Sequence, residues 1–358
     1  MTQTDMGRTT MLRRALVIAS TALLTAGIAL GEATRTLRVT LSGDPAAPFS
    51  VENLAGKMTV VAGDGDAVVA VATVHAESEE LAAAMRFDQV TGKDGEPALR
   101  VRYPLDRHGT ISYPSGGRST LDYDGHRVTV SGHSGVMVYA DVEVRVPRRA
   151  VSVAFRNYVG SLAAEGVSGK ILLDTASGDI TARSLDGTVK ADSGSGDVRA
   201  EQLKGSFTCD TGSGNCELNG FDGDALTLDS GSGTIRVSRA KAVKISADTG
   251  SGNIRIAQAD TEEFSGDSGS GNIEFEGTGA RLQRVKGDTG SGDITLRLPA
   301  DAAFELVADQ GSGDLTCGFK DAQPIVKKRT VIGYRRGDGR VSISLDTGSG
   351  DVSIAPTP

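Results

Sequence analysis

Nine times between Asp174 and Asp351 the chain repeats one short pattern with few departures (Ala176, Cys216, Thr234 and Gln310): Asp, a small polar residue, Gly, Ser, Gly, then Asp or Asn, then an aliphatic residue. The copies open at Asp174, Asp192, Asp210, Asp229, Asp248, Asp267, Asp288, Asp309 and Asp346. The first six lie 18 or 19 residues apart, the next two steps are 21 and the last is 37. A fixed period of this size marks a stacked repeat, in which each unit buries its apolar face only against its neighbours. A motif in so many copies is a building element before it is an active site.

With the opening Asp counted as zero, apolar or small side chains recur at minus three and minus one, as in Ile171 and Leu173 or Ile343 and Leu345. They recur again at plus six and plus eight, as in Ile235 and Val237 or Val352 and Ile354. The interleaved positions are mostly polar, for example Arg199, Glu217, Arg236, Arg255 and Glu274 at plus seven. Alternation on both sides of a glycine-rich turn predicts two short strands, each with one buried face. A second turn follows at Leu185-Asp186-Gly187, Leu203-Lys204-Gly205 and Phe221-Asp222-Gly223. The expected fold class is all-β: a β-solenoid of stacked two-strand coils of 18–21 residues. Equivalent strands about 4.8 Å apart would make a rod of about 45 Å. An antiparallel β-meander of hairpins satisfies the same alternation and is the alternative.

The turn residues have separate expected roles. Gly at plus four stands in every copy, which predicts a backbone angle that other residues disfavour. The opening Asp, and the Ser hydroxyl, are expected to accept hydrogen bonds from turn amides.

Outside the repeats the chain divides into recognisable parts. Arg13 and Arg14 precede the apolar stretch 15–30, with Gly31 after it, so residues 1–31 read as a signal peptide cleaved after Gly31 or an uncleaved N-terminal anchor. Residues 34–150 read as a β-rich cap over the open end of the stack, with one short helix within 77–86 and a polar, Tyr-rich loop over 103–127. Residues 151–358 form the repeat domain, opened by a degenerate coil at Arg156 and carrying a basic insertion at 318–342. The 47 glycines, absence of Trp and 4% aromatic content suit a thin coil packed with Ala, Val, Ile and Leu. A formal charge of −8 argues against a nucleic-acid partner.

The strings DSGSGDV (192–198), DTGSGDI (288–294) and DTGSGDV (346–352), with the intervening LxG turns, resemble a bacterial family known as putative adhesins. These are β-strand-repeat proteins built around a domain of unknown function. The region from Phe49 to Val74 and the run Val142 to Pro147 resemble that family too, so the likeness spans 49–354. It implies an exported β-repeat fold with an adhesive or envelope role, and no catalytic residues.

Four chemistries can be weighed on this scaffold. A ladder of carboxylates, drawn from Asp192, Asp197, Asp288, Asp293, Asp346 and Asp351, could hold calcium, since adjacent like charges repel and calcium takes six to eight oxygens. The spacing matches neither an EF-hand loop nor the nonapeptide calcium repeat. A polysaccharide lyase or hydrolase would need one distinct cluster of acids, or of acids with Lys or Arg, whereas here acids sit at every turn. His75, His108, His126 and His133 show no metal-ligand spacing. Cys209 and Cys216 flank one turn and could form a disulfide.

The function expected is therefore an exported, non-catalytic envelope or surface protein in the periplasm, on the cell surface or secreted. Its partner would be a glycan, wall polymer or protein, with membrane contact only through an uncleaved anchor. Candidate ligand-binding residues lie where the repeat breaks: Tyr113 and Tyr123 in the Tyr-rich loop, and Lys327, Lys328, Arg329, Arg335 and Arg336 in the basic insertion.

Overall fold

The structure, a computed structural model, describes residues 17–23, 32–42, 44, 46–114 and 117–357. Its regular structure is nearly all β-strand. The one helix among the described residues, Glu79–Ala84, falls inside the stretch expected to be helical and is capped by the Ser78 side chain. The segment 1–31, expected to be a signal peptide or anchor, lies outside the described residues except for the strand Val17–Leu23, whose backbone pairs antiparallel with Ala33–Ser42.

The repeats stack in parallel and in register. Asp174 pairs with Asp192, and the ladder continues through Asp210, Asp229, Asp248, Asp267 and Asp288. A second ladder joins Ile180, Val198, Cys216, Ile235, Ile254, Ile273 and Ile294. The fold is thus the β-solenoid, and parallel pairing excludes the antiparallel meander for these coils. Register is strongly specified because a slip of one residue would turn every aliphatic side chain outward.

The rows at minus three, minus one, plus six and plus eight are buried along the stack of repeats, except that Leu315 and Cys317 in the end coil are half-buried. A further inward row stands at plus eleven: Leu185, Leu203, Phe221, Ala240 and Ala259 are buried as well. The first residue of the LxG turn is therefore core rather than loop, and it anchors the second corner of each coil.

Chain order and spatial order part company at the far end. The strand Val341–Thr347 pairs in parallel with Arg284–Thr289 on one side and with Phe304–Asp309 on the other. Val352 likewise sits between Ile294 and Leu315. The last coil in sequence is therefore inserted between the coils opened by Asp288 and Asp309. The intervening basic segment folds as a hairpin of Gln323–Lys327 with Thr330–Arg336, which lies antiparallel on Phe304–Val307. That hairpin covers an edge that would otherwise invite pairing with another chain.

At the near end the stack runs on past the repeats. Arg156 is in register with Asp174, Glu52 with Arg156, and Arg100 with Glu52. In the second ladder Met58 lies beside Leu162, which lies beside Ile180. Residues 49–63 thus add a rung to each ladder, and antiparallel strands Val68–Ala76 and Ala33–Ser42 extend the sheet beyond Val136–Pro147.

Candidate functional site

The repeated turn is held by its second residue. In the coil opened by Asp229, the Ser230 hydroxyl accepts from the Gly233 amide at 2.8 Å and donates to the Gly214 carbonyl of the preceding coil at 2.9 Å. Ser193, Thr211, Thr249, Ser268, Thr289 and Thr347 make the same pair of bonds. These hydroxyls are buried, so each satisfies backbone groups that water cannot reach. The opening Asp does not have the capping role expected of it. Among the described residues only Asp309 caps its own turn, where Gln310 replaces the hydroxyl.

The plus-four glycine is needed for a different reason from the one expected. From Gly196 to Gly350 none has φ in the left-handed region. A Cβ there would instead collide with the carbonyl oxygen of the same glycine one coil earlier. The left-handed residues stand at plus ten, where Ser184, Gln202, Arg239 and Gln258 have φ of 50°, 55°, 57° and 55°.

The plus-five row explains why Asp and Asn interchange. Asp179 Oδ1 accepts from the Asp197 amide, Asp197 Oδ1 from the Asn215 amide, and Asn215 Oδ1 from the Thr234 amide. Asn272 accepts from the Asp293 amide, Asp293 from the Asp351 amide, and Asp351 from the Asp314 amide. Only a side-chain carbonyl-type oxygen is required, which both residues supply. The amide of Asn215 and the nearby Arg199 hold the Asp197 carboxyl below its ordinary value, outweighing its partial burial.

The carboxylates named as a calcium ladder have separate surroundings. Asp197, Asp293 and Asp351 spend an oxygen on the next coil's amide, and Asp192 is paired with Lys190 at 2.8 Å. Asp288 and Asp346 are exposed rungs of the opening row. Among the described residues no group of three or more His, Cys, Asp or Glu is arranged to hold a metal ion. His75 instead contacts Glu32 at 2.8 Å and stacks on Tyr139, and His126 contacts Asp106.

Tyr113 and Tyr123 are also placed differently from expectation. Both are buried, as is Tyr103, so none presents a surface for a ligand. Tyr123 donates to the Val101 carbonyl at 2.7 Å, and Tyr103 to Asn53 Oδ1 and the Ala55 carbonyl, each at 2.9 Å. Burial pushes both phenols well above their ordinary pKa, which keeps them neutral. Beside them lies a buried ionic stack that sequence reasoning missed. Arg100 meets Glu52 at 2.7 Å, and Arg156 meets Glu96 at 2.7 Å, Glu52 at 3.8 Å, Asp174 at 3.5 Å and also Asp94. Charge alternates along Arg100, Glu52, Arg156 and Asp174, and the coil-zero position of Arg156 was the only signal for it.

The basic insertion splits into two groups. Arg335 is tied to Glu305 at 3.4 Å, while Arg336 bonds Asp321 and the Ala302 carbonyl and lies over the Phe319 ring. Lys327, Lys328 and Arg329 sit exposed at the hairpin tip, with no ion pair among the described residues. Lys328 and Arg329 both hold positive φ, 48° and 73°. Two successive left-handed residues make the tight turn that matches strand twist, at a backbone cost because neither is Gly. Val326 beside them is 58% exposed. In the middle of the stack, Cys209 and Cys216 are joined by a disulfide across one turn.

These features define a parallel β-solenoid whose repeat-turn acids lie on outward rows, with a buried ionic stack at the near end and a hairpin covering the far end. The chain belongs to the Toastrack DUF4097 family, whose model matches residues 88–355. No curated protein matches it. Among solved structures it is similar to a putative lipid binding protein from Parabacteroides distasonis, at 12% identity and a TM-score of 0.40, covering 90% of this chain and 97% of that one. A putative adhesin from the same organism is similar at 10% identity and a TM-score of 0.41, with the same coverage. A putative adhesin from Bacteroides fragilis is similar at 10% identity and a TM-score of 0.33, covering 92% of this chain and all of that one.

Proposed function

We propose that this chain is an exported, non-catalytic scaffold of the cell envelope, adhesin-like in use, that holds a surface ligand at the far end of its solenoid. The observation that carries this reading is the hairpin tip, where Lys327, Lys328 and Arg329 stand exposed without acidic partners among the described residues, on a chain of net charge −8. Elsewhere in the insertion, Arg335 and Arg336 are committed to internal contacts. An anionic glycan, wall polymer or acidic protein surface complements such a tip. Export is supported by the Arg13-Arg14 and apolar N-terminal pattern and by the Cys209–Cys216 disulfide, a bond that suits an oxidising compartment. The coil acids recur at every turn, and those at plus five are engaged in joining rungs, which favours scaffolding over a lyase or hydrolase.

The test uses the chain from Glu32 onward, immobilised and exposed to fractionated wall material. Retention of an anionic fraction is expected, with loss in a K327E/K328E/R329E variant whose melting curve is unchanged. No retention from any fraction, or equal retention by the variant, would overturn the reading.

A further inference from the structure

One outward face of the solenoid carries a shallow trough. Along the plus-nine row the side chains run Arg183, Glu201, Asn219, Ser238, Ala257, Glu276, small in the middle and large at both ends. The resulting depression holds about 420 Å³ and is walled in part by Arg236, Arg255, Asn219 and Ser238. Beside it the plus-seven row reads Arg199, Glu217, Arg236, Arg255, Glu274.

The charge pattern of that row has a break. Arg199 is held by Asp197 at 2.6 Å, Glu217 meets Arg236 at 3.4 Å, and Arg255 meets Glu274 at 3.6 Å. Each central guanidinium thus has its row partner on its outer side. Arg236 and Arg255 are direct register partners, one rung of about 4.8 Å apart, with no anion between them. Like charges directly opposite are unfavourable in a sheet. The neighbouring turns of the same coils obey the opposite rule: Lys241 lies beside Asp260 and Lys244 beside Glu263. The two arginine side chains are 53% and 64% exposed, and their ion pairs are long, so donors remain free.

We propose that Arg236 and Arg255 form a binding site for the acidic groups of an extended polyanionic glycan lying along the stack. A carboxylate or phosphate can bridge two guanidiniums by charge-assisted hydrogen bonds. Ser238 and Asn219, themselves 3.1 Å apart, supply hydroxyl and amide groups to sugar hydroxyls in the trough. The glycan context rests on the scaffold function proposed above, but the site requires neither export nor the hairpin.

The experiment is calorimetric titration of the full chain at low salt with three oligomers: an oligogalacturonate, a glycerol-phosphate oligomer and a neutral oligogalactan. At least one acidic oligomer should bind and the neutral one should not, and the acidic arm that binds identifies carboxylate or phosphate as the source. R236Q/R255Q should weaken binding about tenfold or more, while R236K/R255K retains part of it. Repeating the titrations in a K327E/K328E/R329E background separates the trough from the hairpin: the tenfold loss caused by R236Q/R255Q should persist there. The proposal is overturned if neither acidic oligomer binds, if the neutral oligomer binds as tightly, or if R236Q/R255Q binds like the parent. Loss in the hairpin variant alone also sinks the trough, yet leaves the hairpin function standing.

Discussion

A hydroxyl at plus one serves two coils at once. Thr249 accepts from Gly252 at 3.1 Å and donates to Gly233 of the previous coil at 2.9 Å, in a site closed to water. Thr249→Val keeps the shape but strands a buried amide and carbonyl, a loss of about 1–3 kcal/mol. Thr249→Ser keeps both bonds and loses one methyl, a cost below about 1 kcal/mol. Urea unfolding of the two variants decides the matter, since equal losses would mean that packing, not the hydroxyl, is what counts. The same reasoning explains why Ser and Thr alternate freely at this position while no apolar residue occupies it. It was only half legible: the turn chemistry was expected, but on the opening Asp, because both residues are plausible caps and only their orientation separates them.

At the scale of the coil, the opening row is a line of acids that the fold must tolerate. Asp192 and Asp210 share Lys190, at 2.8 and 3.6 Å, but no such cation stands within the Asp229–Asp248–Asp267 run among the described residues. Partial burial, then the charges of Asp267 and Asp229, push the Asp248 carboxyl above its ordinary value. A raised folded-state carboxyl means that the native chain binds more protons than the unfolded one just above the ordinary carboxylate pKa. Stability from this group therefore falls as pH rises through that window. Asp197 has the opposite sign, its contribution being present above the ordinary carboxylate pKa and lost as pH falls through its lowered value. Asp248→Asn should raise Tm by about 1–2 °C at neutral pH, with the gain fading in high salt and in acid. Thermal melts across pH and salt measure this; a gain that persists at low pH would show that charge is not its cause.

Across the whole molecule, the inserted C-terminal coil locks the far end. Val352 is fully buried between Ile294 and Leu315. Stability in such stacks is nearly a sum of local and nearest-neighbour terms, so damage should stay local. Val352→Asp should therefore deprotect Phe304–Asp309 and the hairpin in hydrogen exchange, while strands between Asp192 and Asp267 keep their protection. Uniform loss of protection along the chain would mean instead that the solenoid unfolds as one unit. At the other end, the buried Arg100–Glu52–Arg156–Asp174 alternation joins the cap segments to the repeats by charge as well as by packing.

By itself the sequence determined the coil. Side-chain alternation, period and Gly-rich turns are local properties, so the two strands, their inward rows and the Cys209–Cys216 pairing could all be read from residues near one another. Tertiary structure alone decided what depends on distant partners. The order of the last coils was set by pairing across residues 284–356, which the 21- and 37-residue steps do not encode. Tyr113 and Tyr123 look like loop residues until the strands of the cap close over them. The Arg236–Arg255 contact exists only because parallel stacking lays one coil on the next, turning a residue type that recurs at plus seven into two adjacent like charges.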